Sequence, residues 1–196
     1  MSIGFRRKFL MSIGALAVAC AMPVYALDVG SVKVPETVTV GGKALVLNGA
    51  GQRQIFVIKV YVAALYVEKK STSAAEILAA TGPKRVTLYV QREIDSDEFG
   101  QLFITSMNKN STKEEKAKVV SQTTKFGEIF ANQGIVKKGD VTTLDWIPGK
   151  GTLVSVNGKP IGDYLPDLAF NQAVMRIWLG GNPPQANLKS AMLGEK

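Results

Sequence analysis

Fourteen consecutive residues, Gln54 to Val67, contain only two strongly polar side chains, Gln54 itself and Lys59; the others are Ile, Val, Phe, Ala, Leu and Tyr. Successive side chains of a strand point to opposite faces, so a run that is apolar at both odd and even positions leaves no face for water. Its β-branched and aromatic content favours an extended backbone. The run predicts one long strand at the centre of a sheet, covered above and below. Such a strand needs a hydrogen-bonded neighbour on each edge and a packing layer on each face, which the rest of the chain must supply.

The neighbours are legible. Two short alternating runs, Glu36 to Val40 and Lys43 to Leu47, are joined by Gly41-Gly42, a hairpin signal. Asn48-Gly49-Ala50-Gly51 reads as the turn into the long strand. Ser73-x-x-Glu76 opens a short helix ending near Gly82, and Arg85 to Gln91 returns as a strand. Asp95-x-x-Glu98 starts a helix carrying Phe99, Leu102, Phe103, Ser106 and Met107 at helical spacing; Ser111-x-x-Glu114 starts a second that runs to Gly134. Strands follow over Thr142 to Trp146 and Thr152 to Val156, and Asn157-Gly158 turns the chain again. A helix from Pro166 to Leu179 stops at Gly180-Gly181, with Pro183-Pro184 beyond, and a short last helix covers Ala186 to Leu193. Strands and helices in runs, without strict alternation, predict an α+β domain: a mostly antiparallel sheet with helices layered on one face.

Ahead of this domain, Arg6-Arg7-Lys8 precedes an apolar stretch from Phe9 to Val24 and a small-x-small site, Val24-Tyr25-Ala26. That order predicts a signal peptide over residues 1–26 with cleavage after Ala26, and a periplasmic or secreted domain over 27–196. A membrane anchor fits less well, because the run is short of the ~20 residues a span needs and contains Pro23. Arg6-Arg7-Lys8-Phe9-Leu10 also resembles a twin-arginine core, and Ala17-Val18-Ala19-Cys20 a poor lipoprotein box. Cys20 is the only cysteine, so the domain holds no disulfide. About 170 residues remain, enough for one domain with a real core.

The composition excludes much chemistry. There is no histidine, which removes the commonest general base, zinc ligand and haem ligand together. No G-x-S-x-G elbow, Walker loop or dinucleotide fingerprint is present; Gly49-Ala50-Gly51 lacks a third glycine and precedes a strand. Asp95, Asp97 and Glu98 cluster at a helix start, where capping and the helix dipole favour them. Neither a metal nor a cofactor is expected. Beyond residue 26, 21 basic residues face 16 acidic ones. The lysines between Lys109 and Lys118 alternate with Glu114 and Glu115, as on a solvated helix, which argues against nucleic acid; an anionic membrane surface or an acidic small molecule fits this modest basicity better.

One parity of the long strand carries Arg53, Ile55, Val57, Lys59, Tyr61, Ala63 and Leu65. A guanidinium, an ammonium and a phenol among aliphatic neighbours require a partner if buried, and an anionic ligand would supply it. The bland alternative, which spacing alone favours, is that Lys59 reaches an edge and Arg53 pairs with Glu36 or Glu93.

At this strand the chain is familiar. LNGAGQR (47–53) followed by VIKVYVAALYVE (57–68) resembles the second-strand signature of the chalcone isomerase-like family, specifically its bacterial exported branch. PIGDYLPDLAFNQAVMRIWLGGNPP (160–184) with the closing MLG (192–194) resembles the end of those domains. The resemblance implies an open-faced β-sandwich with a ligand cleft between sheet and helices. Chalcone isomerases close a ring by attack of a phenolate oxygen on an enone, held by an arginine that matches Arg53. In fatty-acid-binding members an arginine and a tyrosine, matching Arg53 and Tyr61, grip the carboxylate while the tail lies between sheet and helices. Where the enzymes carry tyrosine, lysine and asparagine, this chain has Phe99, Leu102 and Ser106, which counts against isomerase activity. Haem binding through histidine, known in some relatives, has no ligand here.

The expectation is therefore an exported, non-catalytic domain binding a small amphiphile such as a fatty acid through Arg53, Tyr61, Lys59, Phe99, Leu102, Phe103 and Ser106. Its rivals are an isomerase with Arg53 as electrostatic centre, and a structural envelope protein whose cleft is filled.

Overall fold

Residues 25–195 are described in a computed structural model; the basic cluster, the apolar run and Cys20 of the expected signal peptide lie outside the described residues. The chain forms β1 (Ala26–Val29), β2 (Val32–Pro35), β3 (Thr37–Val40), β4 (Lys43–Ile55), β5 (Ile58–Val67), α1 (Ala74–Ala79), β6 (Lys84–Val90) and β7 (Ile94–Asp95). There follow α2 (Ser96–Lys109), α3 (Lys113–Lys118), α4 (Val120–Ala131), β8 (Ile135–Val136), β9 (Val141–Ile147), β10 (Gly151–Val156), β11 (Lys159–Pro160), α5 (Leu168–Leu179) and α6 (Ala186–Met192).

Seven strands build one antiparallel sheet in the order β11-β10-β9-β6-β5-β4-β3. β3 and β9 approach each other although three strands lie between them, so the sheet curls. Helices cover one face, and the β1–β2 hairpin lies across part of the other, where Val34 joins Leu45, Val62, Ala64 and Tyr66 in a small core. This is the expected α+β architecture of a large antiparallel sheet with helices on one side.

The long apolar run is not one strand. β4 ends at Ile55, the chain turns at Phe56-Val57, and the run returns as β5. The central, doubly covered segment is Val60–Val67: Tyr61, Ala63, Leu65 and Val67 face the helices, while Val62, Ala64 and Tyr66 face the opposite layer. Nor is Asn48–Gly51 a turn, because it lies inside β4. Asn48 Nδ2 donates to the Met192 carbonyl at 2.8 Å and to the Ser71 carbonyl at 3.0 Å, and its Oδ1 accepts from the Ser71 N–H at 2.8 Å. A Cβ on Gly49 would lie 2.1 Å from the Ala191 carbonyl oxygen, so glycine is what allows α6 to rest on the strand backbone.

The helical layer follows its caps. Asp95 caps α2 by accepting from the Glu98 N–H at 3.0 Å. The next helix is capped by Thr112 with Glu115, in a reciprocal box one residue later than Ser111-x-x-Glu114. It also breaks at Val119 into α3 and α4. α3 buries nothing and sends Glu115 to Arg176 of α5 at 2.8 Å, while α4 buries Phe126 and Phe130. The space between sheet and helices is occupied by rings: Tyr61 of β5, Phe99 and Phe103 of α2, Phe126 and Phe130 of α4, and Phe170 and Trp178 of α5. Their centroids lie 4.4–6.3 Å apart along the chain of contacts, mostly edge to face, the arrangement ring quadrupoles favour.

Candidate functional site

Arg53 and Tyr61 meet, but not along one strand. They are cross-strand partners of β4 and β5, which places both on the helical face. The Arg53 guanidinium carbon sits 5.6 Å from the Tyr61 ring centroid, within cation–π range. Tyr61 is fully buried, and its Oη accepts from Trp178 Nε1 at 3.1 Å. Among the described residues no acceptor is placed for the phenol's own proton. Burial pushes the Tyr61 pKa up, against the opposing pull of the Arg53 charge, so the phenol is neutral and remains a donor at physiological pH.

Beside Arg53 opens a cleft of about 670 Å³; Tyr61, fully buried beneath the guanidinium, does not line it. β4 contributes Arg53; the last turns of α2 contribute Leu102, Thr105, Ser106 and Lys109; the α5–α6 connection contributes Asn182, Pro183 and Pro184. Asn110, the C-cap of α2, holds that connection in place: its Oδ1 accepts from the Asn182 N–H at 2.7 Å, and its Nδ2 donates to the Asn182 carbonyl at 3.0 Å. Gly180 permits the approach, since a Cβ there would lie 2.3 Å from Asn110 Oδ1. Gln185 Oε1 then accepts from the Gln54 N–H at 3.0 Å and ties the same connection to β4.

The lining holds two cations, Arg53 and Lys109, and no carboxylate. Among the described residues neither cation forms an ion pair, so the pairing of Arg53 with Glu36 or Glu93 is not what the fold provides. The hydroxyls of Thr105 and Ser106 and the Asn182 amide add neutral hydrogen-bonding groups beside the apolar surfaces of Leu102, Pro183 and Pro184. Such a cleft can hold an anion with a short apolar neighbour, and its volume falls within the usual range for small-molecule sites.

The remaining expected site residues divide. Leu102 and Ser106 line the cleft with Arg53. Lys59 does not: it is exposed on β5 opposite Gln54, because the register shift that pairs Arg53 with Tyr61 but Gln54 with Lys59 leaves Val60 as an extra residue and breaks the parity between Lys59 and Tyr61. Phe99 and Phe103 are buried in the aromatic cluster and fill the sheet–helix interior instead of bordering open space. Thr105 and Lys109 were missed, although they continue the stripe of Leu102 and Ser106 at helical spacing. In the sequence Pro183-Pro184 signals only the end of a helix.

The sequence profile of a family described as chalcone isomerase-like matches residues 26–194. No curated protein sequence matches the chain. Among solved structures, the crystal structure of a fatty-acid binding protein from Arabidopsis thaliana superposes with a TM-score of 0.63 at 14% identity, covering 85% of this chain and 95% of that one. At that identity the likeness speaks for the fold, and it agrees with the curled antiparallel sheet and one-sided helical layer seen here. With a profile match across nearly all of the described residues, the chain belongs to the chalcone isomerase-like family.

Proposed function

We propose that this protein is an exported, non-catalytic domain that binds a small amphiphile with an anionic head, such as a fatty acid, at the mouth of the sheet–helix cleft. The observation that carries the reading is the pair of cations, Arg53 and Lys109, in an open cleft without a carboxylate. The solved structure of a fatty-acid binding protein with this fold supports it. The head meets the Arg53 fork, which rests on the buried Tyr61 ring, and the first methylenes lie on Leu102, Pro183 and Pro184. Because the aromatic cluster occupies the interior, the tail follows the cleft outward unless those rings move.

A hydrogen bond to a charged group contributes about 1.5–3 kcal/mol, roughly tenfold to a hundredfold in affinity. Arg53→Gln is therefore expected to weaken a long-chain carboxylate by that factor while changing the corresponding alcohol little. Titration of both ligands into wild type and variant reads the ratio, and lipid extraction of the purified protein with mass spectrometry reads the natural occupant. An unchanged acid-to-alcohol ratio would refute the head-group role of Arg53.

The packed aromatic interior favours a second reading, a structural envelope domain whose cleft is filled. It predicts no extractable lipid and no saturable binding of either ligand.

A further inference from the structure

The turn between β4 and β5 breaks the ordinary rules for a hairpin. Ile55, Phe56, Val57 and Ile58 stand at its tip, with Phe56 95% and Val57 90% exposed. Phe56 has φ 53°, a left-handed conformation that glycine or asparagine adopts at little cost and a bulky aromatic does not. Neither backbone preference nor burial in the core explains that phenylalanine. A contiguous exposed apolar patch of this kind marks a surface that meets something else.

The shape and charge of the tip say what. β6 pairs with β5 only from Tyr61 onward, and β3 pairs with β4 only up to Val46, so residues 54–59 project beyond the sheet with only each other as strand partners. The tip is thus a convex wedge, which suits a deformable apolar medium. Arg53 and Lys59 flank it, and between Lys43 and Val67 there is no carboxylate. Apolar side chains at a projecting tip with cations one step behind them match the layering of an anionic bilayer, hydrocarbon beneath charged headgroups.

We propose that the β4–β5 hairpin tip is a docking wedge for an anionic lipid surface, inserting Phe56 and Val57 and placing Arg53 and Lys59 among the headgroups. Arg53 also lines the cleft, so docking sets the cleft mouth at the level where an amphiphile leaves a membrane. The docking itself does not depend on the cleft having a ligand.

The test uses the full chain as expressed, with vesicles of phosphatidylcholine alone and of phosphatidylcholine with phosphatidylglycerol in equal parts. Wild type and variants share the same N-terminus, whether or not residues 1–26 are removed, so differences between chains report on the tip. Phe56→Ser with Val57→Ser is expected to reduce flotation with the anionic vesicles by about tenfold or more, given the apolar surface withdrawn. Omitting phosphatidylglycerol is expected to weaken the wild type by roughly fivefold for each engaged cation, and added salt to act in the same direction. Phe56→Trp supplies a direct readout, since Trp146 and Trp178 are buried: the new indole is expected to shift to the blue on vesicles and to be quenched by brominated acyl chains.

Equal flotation of wild type and the double variant, with an unquenched indole at position 56, would overturn the proposal. So would a concentration-dependent dimer that the double variant abolishes without any vesicle effect, which would assign the tip to a second copy of the chain. Carboxylate titration of the double variant in vesicle-free solution keeps the two readings apart. Failed docking of the double variant with intact carboxylate binding supports the wedge and leaves the cleft untouched. A wild type that floats with the vesicles but binds no carboxylate refutes the cleft and leaves the wedge standing.

Discussion

Replacing Tyr61 by phenylalanine removes one oxygen from the centre of the fold and little else. The ring keeps its edge contact with Phe99 at 6.3 Å between centroids, but the Trp178 Nε1–H, which Tyr61 Oη accepts at 3.1 Å, loses its partner. Both side chains are fully buried, so no water replaces the lost acceptor without opening the core. A buried donor left unsatisfied costs about 1–3 kcal/mol. For a domain of this size each kcal/mol moves the melting temperature by roughly 2–4 °C, so Tyr61→Phe should lower Tm by about 2–12 °C. The clean measurement is a thermal cycle of wild type, Tyr61→Phe, Trp178→Phe and the double variant. Once Trp178 is phenylalanine no donor remains to be orphaned, and the Tyr61→Phe penalty should shrink by that same 1–3 kcal/mol. If the penalty is equal in both backgrounds, within the roughly 0.3–0.5 kcal/mol by which independent sites add, the hydrogen bond does not hold the pair and the account of Tyr61 is wrong.

Two further outcomes follow from buried positions away from the cleft. Lys84 is buried, its ammonium donating to the Ala80 carbonyl at 2.7 Å and the Ile77 carbonyl at 3.3 Å at the end of α1, and burial lowers its pKa from 10.5 to about 8. Between those two values the unfolded chain holds the proton and the folded one releases it. Stability should therefore rise with pH across that window by roughly 3 kcal/mol, and Lys84→Met should flatten the rise in urea titrations; a slope identical in the two proteins would remove Lys84 as its source. Gly49→Ala would press a methyl group onto the Ala191 carbonyl of α6 and should cost about 3 kcal/mol by overpacking, read as a lower urea midpoint, whereas Gly181→Ala, with nothing within 4 Å of the added methyl, should be near neutral.

Part of the cleft lining is legible in the sequence. Arg53 stands out as a cation needing a partner, and Leu102 and Ser106 as neighbours on α2; these three border the cleft, whereas Tyr61, Lys59, Phe99 and Phe103 do not. The same helical stripe extended by one turn would have added Lys109. The part contributed by Asn182, Pro183 and Pro184 had no local signal, because it depends on Asn110 pinning a connection 72 residues away.

The kinds of elements and the class of fold are written in local patterns. Capping residues such as Asp95 and Ser73, the helical spacing of Phe99, Phe103 and Met107, and the Asn157-Gly158 turn act within a few residues of themselves, and each formed where its pattern indicated. The tertiary structure decided what lies between residues 48 and 67. Glycines 49 and 51 looked like a turn, yet they are small because α6, about 140 residues later, lies against them. The true turn, Phe56-Val57, has no glycine, proline or asparagine to announce it, so an apolar hairpin read as one strand. Arg53 and Tyr61 do share a face, but through strand pairing across that hairpin and not through parity along a single strand, a distinction that only the hydrogen-bond register can make.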